Sequence, residues 1–247
     1  MPVGPPRPAG PRSGVSSGGT ASTAVGRPYL TTGPPATKGR RRVVAAGVGE
    51  TDRRMRPAGV AMPGPVFVET DRLELRTVEA SDADLIQRAR MHPEVRRYVS
   101  GFRAPRSREA VADEVPADDA VSLLFVPRAG DHEGQPVGQV ALDHVDEADG
   151  WANLSFWLLP DARGNGYATE AAAELVAFGF RERGLRRVTA NALAPNAGSI
   201  AVLERLGFSH EGTQREKTIV DGEYVDLEFF GLLRREWKGV DAVLDGD

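Results

Sequence analysis

Between residues 151 and 183 the chain reads WANLSFWLLP, then DARGNG, then YATEAAAELVAFGFRER. An alternating apolar stretch gives way within six residues to a run of strong helix formers, so a strand, a tight turn and a helix must follow one another here. Ala168, Ala171, Leu175 and Phe178 fall on one face of that helix, about five turns long from Gly166 to Arg183, and Gly184 is placed to stop it. A helix start leaves about four backbone N–H groups without partners and carries a partial positive charge. A turn that brings those groups bare to a ligand makes an anion site. Arg163, Gly164, Asn165 and Gly166 stand at that point. The glycines would let a ligand approach the backbone closely, although an ordinary strand-to-helix turn uses glycine in the same way.

The flanking sequence places this unit in a larger order. FVETDRLELRTV (67–78) reads as a strand, and EASDADLIQRARM as a helix ended by His92-Pro93. SREAVADEV (107–115) is a second short helix. AVSLLFVPR (120–128), QPVGQVALDHV (135–145) and the strand opening at Trp151 are three strands joined by the turn-rich AGDHEG and DEADG. Beyond the central helix, LRRVTANAL (185–193) is a strand and NAGSIAVLERLG (196–207) a short helix capped by Asn196 and stopped by Gly207. A closing hairpin turns at Asp221-Gly222. The order β-α-α-β-β-β-α-β-α-β-β predicts one α/β (α+β) domain over residues 62–237, with a mixed sheet of six to seven strands flanked by helices. Residues 238–247 read as a C-terminal tail.

Residues 1–61 hold 11 Gly and 9 Pro and show no helical or strand period. They read as a disordered tail or a mis-assigned start, since Met62 opens a plausible beginning. Ten Lys and Arg stand there against two Asp and Glu, which leaves 21 basic and 33 acidic residues beyond position 61. The acidic body argues against binding nucleic-acid backbones, and the basic stretch offers only Tyr29 to stack on bases. No apolar run approaches the ~18 residues of a membrane span, and RRRVVAAGV (40–48) is too short for an export signal. A cytoplasmic protein without membrane contact is expected. With no cysteine and four scattered histidines, neither a disulfide nor a metal site is expected. A homodimer stays open.

The strand NLSFWLLP, the loop RGNGYA and the later NAGSIAVLERLGF together resemble the Gcn5-related N-acetyltransferase (GNAT) superfamily. The family loop, Arg/Gln-x-x-Gly-x-Gly/Ala, is met by Arg163, Gly166 and Ala168. SFWL, GNGYATEA, Asn196-x-x-Ser199 before LERLGF, and the hairpin EG…R…DGEYVD resemble its ribosomal-protein alanine N-acetyltransferase branch. The resemblance spans about two thirds of the chain. It implies acetyl-CoA as co-substrate, with no metal. The loop Arg163, Gly164, Asn165, Gly166, Tyr167 and Ala168 would hold the pyrophosphate through its N–H groups. The pantetheine arm would lie along the backbone of Phe156, Trp157 and Leu158, where a bulge splays two parallel strands, with Asn196 binding the same arm. A backbone N–H on that strand would also stabilise the oxyanion.

Acetyl transfer to an amine needs a neutral amine, an oxyanion donor and a proton for the departing thiolate, whose free pKa of about 8.5 makes the last demand mild. The tyrosine acid of many relatives is Leu203 here, and the branch's serine is Ser199, which also suits a first-turn helix position. The glutamate that serves as base in relatives falls on Thr218. Glu216, two residues away and by strand period on the same face, is the substitute, though a solvated strand carboxylate would look alike. Asn153 stands where relatives often carry Glu. A water chain or an already deprotonated amine would remove the need for a strong base. The expected acceptor is a protein N-terminal amine. A small amine or antibiotic is the alternative within the fold, and a CoA-binding module without catalysis the alternative outside enzymes.

Overall fold

The computed structural model describes residues 64–99, 102–114 and 120–246; the segment 1–61 read as a tail lies outside the described residues. The stretch expected as one strand over 67–78 instead turns back on itself. Thr70 donates its N–H to the Leu73 carbonyl (2.9 Å), and its Oγ1 accepts the Leu73 N–H (2.8 Å). The result is a hairpin of β1 (Val66–Glu69) and β2 (Leu73–Thr77). The short helices α1 (Ala83–Met91), α2 (Pro93–Arg96) and α3 (Arg108–Asp113) follow. Pro93 ends α1 and also opens α2, because a proline at the first helical position lacks only an N–H that would have no partner there anyway. Buried Arg76 grips buried Asp82 through two bonds of 2.7 and 2.9 Å, fixing the turn that leads into α1.

Next come β3 (Val121–Pro127), β4 (Gly138–Asp146), β5 (Trp151–Leu158), α4 (Tyr167–Arg181), β6 (Arg187–Leu193), α5 (Ala197–Arg205), β7 (Ser209–Val220) and β8 (Glu223–Leu233). They build a mixed sheet in the order β1-β2-β3-β4-β5-β6-β8-β7. Its eight strands exceed the six to seven expected, the extra one coming from the turn at Thr70. Every pair is antiparallel except β5 with β6, which the α4 crossover makes parallel. On one face α4 packs Ala171, Ala172, Leu175, Val176 and Phe180 against Leu73, Phe125, Leu142, Leu154 and Val188. On the other, α1 and α3 bring Leu85, Ile86 and Val111 to Val78, Leu124 and Trp157.

Of residues 238–247, read as a tail, those described, 238–246, pack onto the domain. They hold α6 (Val240–Leu244), whose Val240 and Val243 are buried in the α4-side core. The two apolar residues, three apart, lie on one helical face, a signal too short to stand out in the sequence. Arg205 donates to the carbonyls of Val243, Leu244 and Gly246 (3.2–3.4 Å). Among the described residues no helix is long and apolar enough to cross a membrane.

At the far edge, Asp221 and Gly222 both take positive φ (51° and 89°), the backbone that a two-residue hairpin requires. Arg187 of β6 and Glu211 of β7 meet over β8 at Gly231, where no side chain intervenes. The hydrogen bond from Arg187 holds the Glu211 carboxyl below its usual range. Its stabilisation is therefore present above the unfolded carboxyl range and is lost as pH falls through the lower folded value; at this exposure it amounts to about 1 kcal/mol or less. The core is less forgiving. A methyl added at Gly138 would lie 2.3 Å from the Phe125 ring and 2.5 Å from the Trp157 backbone oxygen. Gly138→Ala is expected to cost about 1–3 kcal/mol in denaturant unfolding. Gly212→Ala, whose methyl meets nothing within 4 Å, should shift stability by less than about 0.5 kcal/mol.

Candidate active site

β5 and β6 pair at only three positions, Trp151 with Arg187, Ala152 with Val188 and Asn153 with Thr189. Beyond them β5 stays on β4 as far as Leu158, while β6 stays on β8 as far as Leu193. Each strand thus follows its outer neighbour, and the inner edges part into a V. The bulge expected on β5 falls instead on β4, between Asp143 and Asp146, where His144 has φ 50°.

Two adjoining cavities occupy the V. The first, about 520 Å³, runs from Phe156, Trp157 and Leu158 past Arg163, Gly164, Gly166, Tyr167 and Ala168 to Asn196 and Ser199. The second, about 350 Å³, lies between Asn153–Phe156 on one strand and Ala190–Leu193 on the other. Tyr98, Val99, Phe156, Asn196 and Ser199 line both, so the cavities meet there.

The loop is shaped by its glycines and pinned from outside. Gly164 and Gly166 have φ 82° and 75°, which other residues rarely adopt, and a side chain at Gly164 would stand in open space. Gly166 starts α4 without a side-chain cap. The N–H groups of Gly164, Asn165, Gly166, Tyr167 and Ala168 have no hydrogen-bond partner among the described residues. They form a donor cradle of the kind an anionic phosphate fits. Asn165 does not line the cavity: its side chain turns back to the carbonyls of Ala162 (3.1 Å) and Arg163 (3.3 Å). Arg163 reaches across to Glu94 of α2 (3.0 Å).

Glu170, in the first turn of α4, is 2% exposed. Thr70 Oγ1 (2.5 Å) and Arg72 Nε (2.7 Å) donate to its carboxylate. Arg72 also donates to the Asn165 carbonyl (2.8 Å) and lies 5.8 Å from the centre of the Tyr167 ring. One arginine therefore ties the β1–β2 turn, the loop and the helix start together. Arg72→Ala, which leaves a buried carboxylate short of its cation, is expected to cost about 1–3 kcal/mol, reduced from a fully buried pair because Arg72 is half-exposed. In denaturant unfolding the double variant Arg72→Ala, Glu170→Gln should lose less than the two single changes added together.

Polar side chains cluster where the cavities join. Asn196 caps α5, its Oδ1 accepting the Ser199 N–H (3.3 Å), and its Nδ2 donates to Ser199 Oγ (2.8 Å). That oxygen accepts from Asn196, so its own hydroxyl proton is left to donate elsewhere. Leu203, at the family's tyrosine position, is buried and lines the second cavity. Sequence reasoning missed Tyr98, which lies on a short connection without a recognisable pattern. It also missed a polar trio on β4 and β5: Asp143 accepts from Asn153 Nδ2 (2.8 Å) and Ser155 Oγ (2.6 Å). Their cross-strand register could have been found only once β4 was paired with β5.

Glu216 is not where strand period placed it. Three residues, 215–217, oppose the single Asp226 between the pairs Gln214–Leu227 and Thr218–Val225, and Glu216 has φ 50°. This bulge breaks the alternation, so Lys217 and Thr218 line the cavity and Glu216 does not. Among the described residues no group of His, Cys, Asp and Glu is arranged to hold a metal ion.

A family model described as an acetyltransferase (GNAT) domain matches residues 72–209, more than half of the chain. YdaF of Bacillus subtilis (strain 168), named as a candidate ribosomal N-acetyltransferase, is 35% identical over 108 residues, covering 44% of this chain and 59% of YdaF, under two thirds of that relative. The solved structure of RimL, a ribosomal-protein alpha-N-acetyltransferase in complex with coenzyme A, aligns with a TM-score of 0.60 at 18% identity over 70% of this chain and 98% of RimL. A spermidine N-acetyltransferase from Vibrio cholerae, in complex with CoA and spermine, aligns with a TM-score of 0.59 at 18% identity over 68% and 98%. With its splayed strands, its glycine-shaped loop and this match, the chain belongs to the GNAT acetyltransferase family.

Proposed function

We propose that the protein transfers the acetyl group of acetyl-CoA to a primary amine, and that this amine is a protein or peptide N-terminus. The observation that carries the reading is the meeting of two differently built cavities at Phe156, Asn196 and Ser199. One offers an anion cradle and an open strand edge, the other a pocket that sets Asn153, Ser155 and Asn191 among apolar walls on the far side of the same strand gap. When bound, acetyl-CoA supplies a thioester carbonyl that an amine can attack.

The residues around that point divide the work. Backbone N–H groups from Gly164 to Ala168 would hold the phosphates, and the free edge of β5 at Phe156–Leu158 would align an extended arm as an added strand. Trp157 takes part through its backbone, since its ring is buried against Phe102 and its Nε1 donates to Gln139 (3.0 Å). Ser199, already accepting from Asn196, would point its hydroxyl proton at the departing sulfur and stabilise the thiolate by a hydrogen bond. On the amine side an ionised Asp143 can only accept, so the Ser155 hydroxyl must donate to it. Ser155 then presents lone pairs to the second cavity, where it would accept a proton from the amine and relay its own to Asp143. This pair takes the place intended for Glu216.

Ser199→Ala is expected to lower kcat about 10- to 100-fold at saturating acetyl-CoA while the cofactor Kd stays the same; the range is modest because a thiolate leaves readily. Tyr98→Phe, with no hydrogen bond to the Asn196–Ser199 pair, should change kcat by less than about threefold. Thiol release with an N-terminal peptide acceptor measures both. Wild-type kcat in Ser199→Ala together with a large loss in Tyr98→Phe would move the proton donor to Tyr98.

A further inference from the structure

The second cavity carries a charge that the rest of the domain does not. Beyond residue 61 the sequence holds 33 acidic and 21 basic residues, so an average stretch of surface is acidic. Yet the charged side chains lining this cavity are Arg103 and Lys217, with no Asp or Glu among the described lining residues. Neither cation has an ion-pair partner among the described residues. Arg103 donates to the neutral Thr218 hydroxyl, across the cavity from its own segment. Of the nearby carboxylates, Asp143 lies behind Asn153 and Ser155 at the amine end (2.8 and 2.6 Å), while the others are engaged elsewhere: Asp221 with Arg97 (2.5 Å), Glu228 with His210 and Thr213 (each 2.6 Å), and Asp226 with the Glu216 N–H (2.7 Å).

The bulge on β7 produces this charge. Regular alternation from Thr218 would set Glu216 toward the cavity and Lys217 away from it. The extra residues opposite Asp226 reverse that choice, and the bond from the Glu216 N–H to Asp226 holds the reversed arrangement. A bulge that re-aims a side chain beside a functional cleft is a recurrent device.

We propose that the acceptor is an anionic amine: a primary amine that carries a carboxylate a few bonds away, with the amine at Ser155 and the carboxylate between Lys217 and Arg103. The inference rests on the acetyl-transfer reading and narrows its acceptor. A cavity of about 350 Å³ lies at the small end of the ligand-pocket range, which suits the first residues of a chain rather than a folded surface. Two sources offer this chemistry, an acidic peptide N-terminus and a free acidic amino acid. A polyamine would bring its further positive charges against two cations, a like-charge mismatch that selects against it.

The test compares three hexapeptides that begin Ser-Asp-Glu, Ser-Asn-Gln and Ser-Lys-Lys, together with free aspartate and spermidine, at saturating acetyl-CoA with the full chain. The protein has no cysteine, so a thiol-reactive dye reads released CoA without background from the protein. The acidic peptide should exceed the amide peptide in kcat/KM by about tenfold, with the lysine peptide and spermidine lowest. Lys217→Glu should erase or invert this order without changing acetyl-CoA affinity. Free aspartate matching the acidic peptide would identify an amino acid as the source, and a peptide advantage would identify a chain terminus; both support the proposal. Equal rates for the three peptides, a preference for the lysine peptide or spermidine, or an unchanged order in Lys217→Glu would overturn it while leaving acetyl transfer intact. If no amine releases thiol, the transfer reading fails by itself. Calorimetric titration of the same peptides onto the coenzyme A complex then decides the charge preference: tighter binding of the acidic peptide supports it, and equal binding overturns it.

Discussion

β5 and β6 keep three rungs of their parallel ladder and then follow different outer neighbours. Backbone N–H and C=O groups on the parted edges lose their strand partners, a loss that a buried edge tolerates only when something else can bond to it. The gap is therefore both a cost to the fold and the space in which chemistry can occur. It also sets the position of everything downstream. β5 ends where the loop and α4 begin, and β6 ends where Asn196 caps α5, so the two helix starts converge on the open end of the V.

The charge arrangement at the first of those helix starts is less obvious than its glycines. An anion-binding helix terminus gains from a local excess of positive potential, and yet α4 carries a buried glutamate in its first turn. Thr70 and Arg72 resolve the conflict by saturating that carboxylate from the β1–β2 turn. The same arginine holds the Asn165 carbonyl, which fixes the loop while its N–H groups stay free. The hairpin that sequence reading merged into one strand is thus the piece that braces the loop and the start of α4.

Local sequence patterns carried most of this architecture. Alternation in β3, β4 and β5, the helical period of α4, the Asn196 cap and the Asp221-Gly222 turn each depend on interactions within a few residues, and all appear as expected. The misreadings share one cause. The docking of Val240 and Val243, the Asp143–Asn153–Ser155 trio and the displacement of Glu216 depend on contacts between separate segments or on a register shift, and the turn at Thr70, though closed by local bonds to Leu73, is braced by distant Glu170. Period alone cannot reveal a bulge, because its effect is to interrupt the period. For the same reason the glycine-shaped loop before α4 was legible as a motif, while the residues that line the second cavity were not.

Helix α5 joins two otherwise separate regions. Ser199 stands near its first turn, and Arg205, at its last residue, holds the carbonyls of Val243, Leu244 and Gly246. The two are roughly 9 Å apart along a rigid helix, at about 1.5 Å per residue. The far end of the helix is thus clamped by the segment that follows β8. Because α5 is one continuous helix, the clamp at its far end and the serine at the junction of the cavities belong to a single rigid element.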